Sequence, residues 1–309
     1  MKTELNKKIS VLNKKTVLLT GAKGMLGTSF ENIIKKEIPD CKLISTSREQ
    51  MDITNEEQVL SYGDTQIDII IHCAAKVDAE FCENNPEESS KRIIKATNNI
   101  ISLAAKTNAK IFYPQSFLIF DGESLPITEK TTPVPLCKYG KDKLTAEENI
   151  LKNCNNPLIV RMGGFFGGYS KDKNFVGKII PHLSMLIEKG EKQINVGDRI
   201  WQPTYTDDLA YNSLILLLEN KNGIYNMASH GQTSFYDLTV KIVSLLKIQD
   251  KISIQKIPSS SFNKKENAQR PNIAVIENTR LKQESLDLQR KWDESLKEYL
   301  SHSYFRDLF

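Results

Sequence analysis

The sequence predicts an α/β protein: a doubly wound parallel sheet covered by helices, with a smaller C-terminal α+β lobe. Three observations predict it. Short β-rich runs alternate with longer segments of helical periodicity through the first half of the chain. Runs such as Ile69-Ile70-Ile71 are continuously apolar, as strands buried on both faces are. A glycine-rich turn, Thr20-Gly21-Ala22-Lys23-Gly24-Met25-Leu26-Gly27, joins the first run to the first helical segment.

Taken in order, residues 16–20 read as the first strand. Apolar residues at Met25, Leu26, Phe30, Ile33 and Ile34 place a helix over 25–37, ended by Pro39 and Asp40. Residues 42–46 form the second strand, 56–62 a short helix and 68–72 the third strand. Pro86, suited to a first helical turn, opens a long helix to Thr107. A strand over 110–114, a proline-rich loop over 121–135, a helix over 139–153 and a strand over 158–161 follow. Right-handed crossovers wind these units onto both faces of one sheet.

The second half is less regular. It reads as a glycine-aromatic loop (163–174), a helix (174–189), an extended piece (194–203), a helix (205–219), a strand (223–228) and a helix (234–246). Residues 251–309 read as a small α+β cap. The domain boundary falls near Arg161. Residues 14–161, with a return segment around 205–228, make the nucleotide domain; 162–204 and 229–309 make the substrate lobe.

Composition excludes several classes. Of 309 residues, 42 are Lys or Arg and 38 are Asp or Glu, a net charge of +4, too balanced to indicate nucleic acid. The longest apolar runs are about five residues, whereas a membrane span needs roughly twenty. Residues 1–15 are polar and lysine-rich, without the apolar stretch of a secretory signal, and the first dozen read as a tail. The five cysteines (Cys41, Cys73, Cys82, Cys137 and Cys154) contain no Cys-x-x-Cys, and no two of the four histidines have metal-ligand spacing. Reduced thiols in a cytoplasmic protein are therefore expected, with no bound metal.

Four features carry chemistry. The glycine turn lets backbone approach a pyrophosphate, whose charge meets the helix N-terminus. Its glycine spacing is three and three, not G-x-G-x-x-G, so the alternative is a plain tight turn. Arg48 follows the second strand, where an arginine can accommodate a ribose 2′-phosphate; Ser47 and Lys23 add a hydroxyl and a charge. This points to NADP(H) over NAD(H), against the plain reading of Arg48 as a solvated surface residue. Asp52 suits either the adenine amino group or a helix cap.

Tyr139 and Lys143 are four residues apart on a helix and share a face. An ammonium there favours phenolate, so the tyrosine pKa is expected to fall from its ordinary value near 10. Such a tyrosine is a proton donor, although the same spacing is common on solvated helix faces. Ser116 sits past its strand at the carboxyl edge of the sheet, where ligands bind in open α/β folds. Its hydroxyl suits a substrate carbonyl, or merely a turn cap.

Together these segments resemble the extended short-chain dehydrogenase/reductase superfamily, and most specifically the dTDP-4-dehydrorhamnose reductase family. The resemblance runs through 20–27, Asp52-Ile53-Thr54, Ala74 to Glu80, Phe120-Asp121-Gly122 and Tyr139-Gly140-x-x-Lys143-Leu144. It continues through Asn174-Phe175, Pro203-Thr204, Asp208-Leu209-Ala210, 223–226 and Arg270-Pro271. It implies a Rossmann-type NADP(H) domain, a sugar-nucleotide lobe and hydride transfer to the C4 ketone of a nucleotide-linked 6-deoxy sugar. A homodimer is implied on the same ground. The implied catalytic residues are Ser116, Tyr139 and Lys143. The implied cofactor residues are Gly21, Lys23, Gly24, Met25, Leu26, Gly27, Arg48, Asp52, Ile53, Cys73, Ala74, Ala75 and Lys76, with Tyr139 and Lys143. Phe117, Asn174, Arg199, Trp201 and Arg270 are implied at the substrate. The two arginines suit a diphosphate, and the tryptophan suits a base or the core.

The chain also departs from the family pattern. Where the family reads Ser-Thr-Asp-Tyr-Val-Phe-Asp-Gly, this chain reads Gln115-Ser116-Phe117-Leu118-Ile119-Phe120-Asp121-Gly122. The family's aromatic sugar neighbour is Gly164 here, and Ile93 stands where a helix asparagine is common. A pocket that exchanges hydrogen-bonding groups for apolar ones should change its substrate. Two other functions therefore stay open: a nucleotide-sugar 4-epimerase, and a non-catalytic cofactor-binding regulatory subunit.

Overall fold

The computed structural model describes residues 12, 14–261, 266–306, 308 and 309. Most of the lysine-rich N-terminal stretch read as a tail lies outside the described residues.

The first half runs β1 (Thr16–Thr20), α1 (Met25–Glu37), β2 (Lys42–Thr46), α2 (Glu56–Leu60), β3 (Ile69–His72) and α3 (Ala79–Asn84). Next come α4 (Pro86–Ser90), a π-turn over Lys91–Lys95, α5 (Ala96–Thr107), β4 (Lys110–Ser116), α6 (Lys138–Asn153) and β5 (Leu158–Met162). The second half runs β6 (Phe165–Phe166), α7 (Phe175–Glu188), β7 (Gln193–Gly197), β8 (Ile200–Trp201), β9 (Thr204–Tyr205), α8 (Thr206–Leu218) and β10 (Gly223–Met227). It ends with β11 (Thr233–Ser234), α9 (Phe235–Leu245), β12 (Ser253–Ile257), α10 (Thr279–Gln283), α11 (Trp292–Leu300) and α12 (Ser303–Arg306).

Six strands form one parallel sheet in the order β10-β5-β4-β3-β1-β2. This is the doubly wound α/β fold. The chain steps from β1 outward to β2, then crosses back over β1 to β3. The reversal opens a crevice at the carboxyl ends of β1 and β3, where such sheets bind ligands. One core layer packs α1 and α8 on the sheet through Phe30, Ile34, Leu209 and Leu216; the other packs α5 and α6 through Ile100, Leu103 and Ile150. Helix α8 is apolar nearly all round and is accordingly buried on nearly every side.

The remaining strands pair off outside the main sheet: β7 with β12 and β6 with β9 in parallel, β8 with β11 antiparallel. With α7, α9 and α11 they enclose a separate apolar cluster that includes Ile180, Leu238 and Leu296.

The structure differs from the sequence reading in three places that matter. Helix α3 is additional, capped by Asp78, whose carboxylate accepts from the Phe81 N–H at 3.0 Å. The long helix from Pro86 is continuous but carries the π-turn, with Ile93 buried in the core. Strand β4 continues beyond Pro114 to Ser116. Pro114 is tolerated because β3 pairs only as far as Phe112, so its missing N–H faces no partner on that side, while β5 pairs through to Ser116.

Candidate active site

The glycine turn sits at the carboxyl end of β1. Gly21 has φ of +71°, and a Cβ there would lie 2.7 Å from the Ala74 nitrogen. Only glycine allows the β1 turn and the segment after β3 to touch. A Cβ on Gly27 would collide with the Gly21 carbonyl oxygen, which lets α1 start tightly against the turn. Helix α1 has no side-chain cap and no acid in its first turn. Its first N–H groups have no intrahelical acceptors and face the crevice end of the sheet. An uncapped, acid-free N-terminus behind a sterically obligatory glycine turn fits a dinucleotide pyrophosphate. The residues expected to hold it follow the same geometry: Gly21, Lys23, Gly24, Met25, Leu26 and Gly27 on the turn and first helical turn, and Cys73, Ala74, Ala75 and Lys76 beyond β3.

Ser116 ends β4, while Tyr139 and Lys143 lie one turn apart on the buried face of α6. The helix approaches closely at Gly140, where a Cβ would strike the Leu118 carbonyl oxygen. The Ser116 hydroxyl stands close enough to the Tyr139 phenol to favour its phenolate. The Lys143 ammonium donates to the Pro114 carbonyl at 2.8 Å and lies 3.7 Å from the Tyr113 ring centroid. The phenol, the alcohol and the amine are thus assembled at one sheet edge, beside the glycine turn.

Their electrostatics correct one expectation. Burial raises the Tyr139 pKa well above its ordinary value; the Ser116 hydroxyl opposes this, and the nearby Cys82 and Cys137 add to it. The expected lowering by Lys143 does not occur, and burial outweighs the opposing Ser116 hydroxyl. Burial acts on Lys143 as well, bringing it down to about 7 against the opposing field of Glu147. The phenol is therefore held protonated, the state a donor needs.

A buried support lies beneath these groups. The Gln115 amide donates to the Lys143 carbonyl at 2.9 Å and to the Glu147 carboxylate at 2.8 Å, and its oxygen accepts from the Ser116 N–H at 2.8 Å. Glu147 in turn pairs with Arg161 of β5 at 2.5 Å, both almost fully buried. On the other side His72 lies 2.9 Å from the Thr20 hydroxyl and 3.3 Å from that of Thr97. Burial, aided by Lys143, brings its pKa down to about 3, so it is neutral. Cys73 beside it is pushed up to about 12 and stays a thiol.

The outer predicted residues are more dispersed. Arg48 pairs with Asp52 at 3.7 Å, and Asp52 accepts from the Thr54 N–H and hydroxyl at 3.0 and 2.8 Å. Asp52 thus forms a turn, and the cap of α2 is Asn55. The Ile53 carbonyl accepts from the Asn99 amide at 2.9 Å. The Lys76 ammonium stands 4.0 Å over the Phe81 ring. The Asn174 amide donates to the Phe165 carbonyl at 2.6 Å, at the start of α7.

Outside the main sheet, Arg199 pairs with Glu266 at 3.0 Å, and Arg270 bridges Glu80 at 2.8 Å and Glu266 at 3.4 Å. Trp201 is buried against Gly164: a Cβ at 164 would come 2.6 Å from its Cζ3 and 3.2 Å from Phe117 Cε1. The indole fills the space an aromatic residue at 164 would need. That buried indole N–H has no partner among the described residues.

Comparison with known proteins gives the chain its family. Residues 15–305 match the model of the RmlD substrate binding domain family. The chain belongs to that family. A solved dTDP-4-dehydrorhamnose reductase from Clostridium acetobutylicum is 30% identical, with a TM-score of 0.85 over 93% of this chain and 98% of its own. The methionine adenosyltransferase 2 subunit beta of Xenopus tropicalis is 29% identical over 72% of this chain and 69% of its own length. The spore coat polysaccharide biosynthesis protein SpsK of Bacillus subtilis is 26% identical over 92% and 96%.

For this RmlD-family chain, the sequence reading missed His72, Glu147 and the bridging role of Gln115. Glu147 had a visible signal, since it lies one helical turn after Lys143 on the same face. Gln115 had another, as a long amide in place of the family's serine.

Proposed function

We propose that the chain is an NADP(H)-dependent reductase of a nucleotide-linked 4-keto sugar, with a 4-keto-6-deoxy sugar such as dTDP-4-dehydrorhamnose as the first candidate. The observation that carries this reading is the meeting of Ser116, Tyr139 and Lys143 beside a glycine turn suited to a dinucleotide. Residues 14–161 and the return around 205–228 hold the cofactor; 162–204 and 229–309 hold the sugar nucleotide.

NADPH, when bound, supplies hydride to the ketone carbon. The chain's own residues manage the oxygen. The protonated Tyr139 hydroxyl gives its proton to that oxygen as negative charge develops on it. Ser116 donates a hydrogen bond to the same atom, which strengthens as the charge grows. Lys143, anchored on the Pro114 carbonyl, supplies positive charge and a donor for the cofactor ribose. The Gly21–Gly27 turn and the α1 N-terminus meet the pyrophosphate. Arg199 and Arg270 meet the substrate diphosphate by exchanging their carboxylate partners for phosphate oxygens.

The test is NADPH oxidation with a panel of 4-keto sugar nucleotides. Turnover on at least one supports the reading, and cofactor binding with no turnover on any contradicts it. The likeness to the methionine adenosyltransferase β subunit favours a second reading, a cofactor-binding regulatory chain, which predicts that second outcome. The assembled Ser116, Tyr139 and Lys143 argue for the reductase.

A further inference from the structure

The Ala22 N–H donates to the Thr46 carbonyl at 3.1 Å, tying the glycine turn to the end of β2. The groove between them is where a Rossmann-type fold reads the adenosine ribose. Three groups there suit a 2′-phosphate: Lys23, Ser47 and Arg48. One further side chain stands among them. The Glu49 carboxylate accepts from the Ser47 hydroxyl at 2.5 Å and from the Lys23 ammonium at 3.1 Å, through the same oxygen. Arg48 is met by Asp52 at 3.7 Å. Each cation of the groove therefore already has a carboxylate partner.

We propose that Glu49 sets the choice between NADP(H) and NAD(H), because its carboxylate occupies the Ser47 and Lys23 donors that a 2′-phosphate requires. This rests on the cofactor reading above and deepens it. With NADP(H), the phosphate displaces Glu49 from both donors, and the two anions repel across the groove. With NAD(H), Glu49 keeps its partners and faces a ribose hydroxyl, for which a carboxylate is a good acceptor. The chain then uses both cofactors, with a smaller NADP(H) preference than Lys23, Ser47 and Arg48 would give alone. The Ser47 hydrogen bond, then one to its own backbone N–H, then Lys23 hold the Glu49 pKa down to about 2, so the carboxylate is charged throughout the neutral range.

The test uses the full chain and Glu49→Gln, a substitution at an exposed side chain that removes charge and little shape. Binding of NADPH and NADH is titrated by cofactor fluorescence, with 2′,5′-ADP and 5′-AMP as truncated probes. Glu49→Gln is expected to tighten NADPH and 2′,5′-ADP about tenfold at low salt, equivalent to about 1.4 kcal/mol. NADH and 5′-AMP should stay within about twofold or weaken. The gain should shrink as ionic strength rises, because the groove is exposed. An NADPH to NADH affinity ratio unchanged within twofold overturns the inference while leaving the reductase reading intact. A wild-type chain that binds neither cofactor overturns both.

Discussion

Glu147→Gln perturbs the site without touching a group placed at the substrate. Lys143 and Glu147 are one helical turn apart, about 6 Å along the axis. At an effective dielectric constant near 20 their attraction is about 3 kcal/mol, or about two pKa units. Arg161 is present in both the wild type and the variant, so it leaves this difference unchanged. In the wild type, burial and Glu147 together set the Lys143 pKa at about 7, so the ammonium is present below that pH and lost above it. Removing the carboxylate lowers the value further. The alkaline limb of kcat/KM should move about two units toward acid, which makes the variant about 75-fold slower at pH 7.5 if only the ammonium form works. The same change leaves the buried Arg161 without its counter-charge, a loss of about 3 kcal/mol by urea denaturation. The assay is a pH series of kcat/KM on folded protein, with Arg161→Lys as the control that keeps both charges. A Glu147→Gln profile that superimposes on the wild type would refute the claim that this buried pair tunes Lys143.

Two further predictions concern the glycines. Gly21→Ala, with φ at +71° and its Cβ 2.7 Å from the Ala74 nitrogen, should weaken NADPH at least about tenfold as the turn and the β3 segment part; fluorescence titration checks it. Gly164→Ala forces Trp201 and Phe117 to yield, at a cost of about 1–3 kcal/mol in stability. It should raise KM for the sugar nucleotide while leaving NADPH affinity unchanged.

The sheet was legible because its inner strands are largely apolar and its turns carry glycine and proline at the right places; the lengths of β1 and β2 follow the reading directly. Pro114 misled the end of β4, since a proline bars a strand only where a neighbour needs its N–H, and that depends on how far β3 extends. The grouping of Ser116, Tyr139 and Lys143 was legible from helix spacing and strand ends. The protonation of Tyr139 was not, because burial is a property of the packed site rather than of the four-residue interval. The carboxylates on Arg199 and Arg270 were hidden for a related reason. Glu266 reaches Arg199 across 67 residues and Glu80 reaches Arg270 across 190, pairings that only the tertiary fold creates. Trp201 over Gly164 is a change of the same kind, in which the space left by a missing side chain is filled by one from another strand.

The central claim is that the Tyr139 phenol donates the proton that completes ketone reduction. The most direct measurement compares the wild type and Tyr139→Phe at the nicotinamide absorbance, with NADPH and a 4-keto sugar nucleotide, beside a fluorescence titration of NADPH. The account predicts a loss of kcat of about a thousandfold with NADPH affinity held within about twofold. A variant that keeps most of its turnover would contradict it.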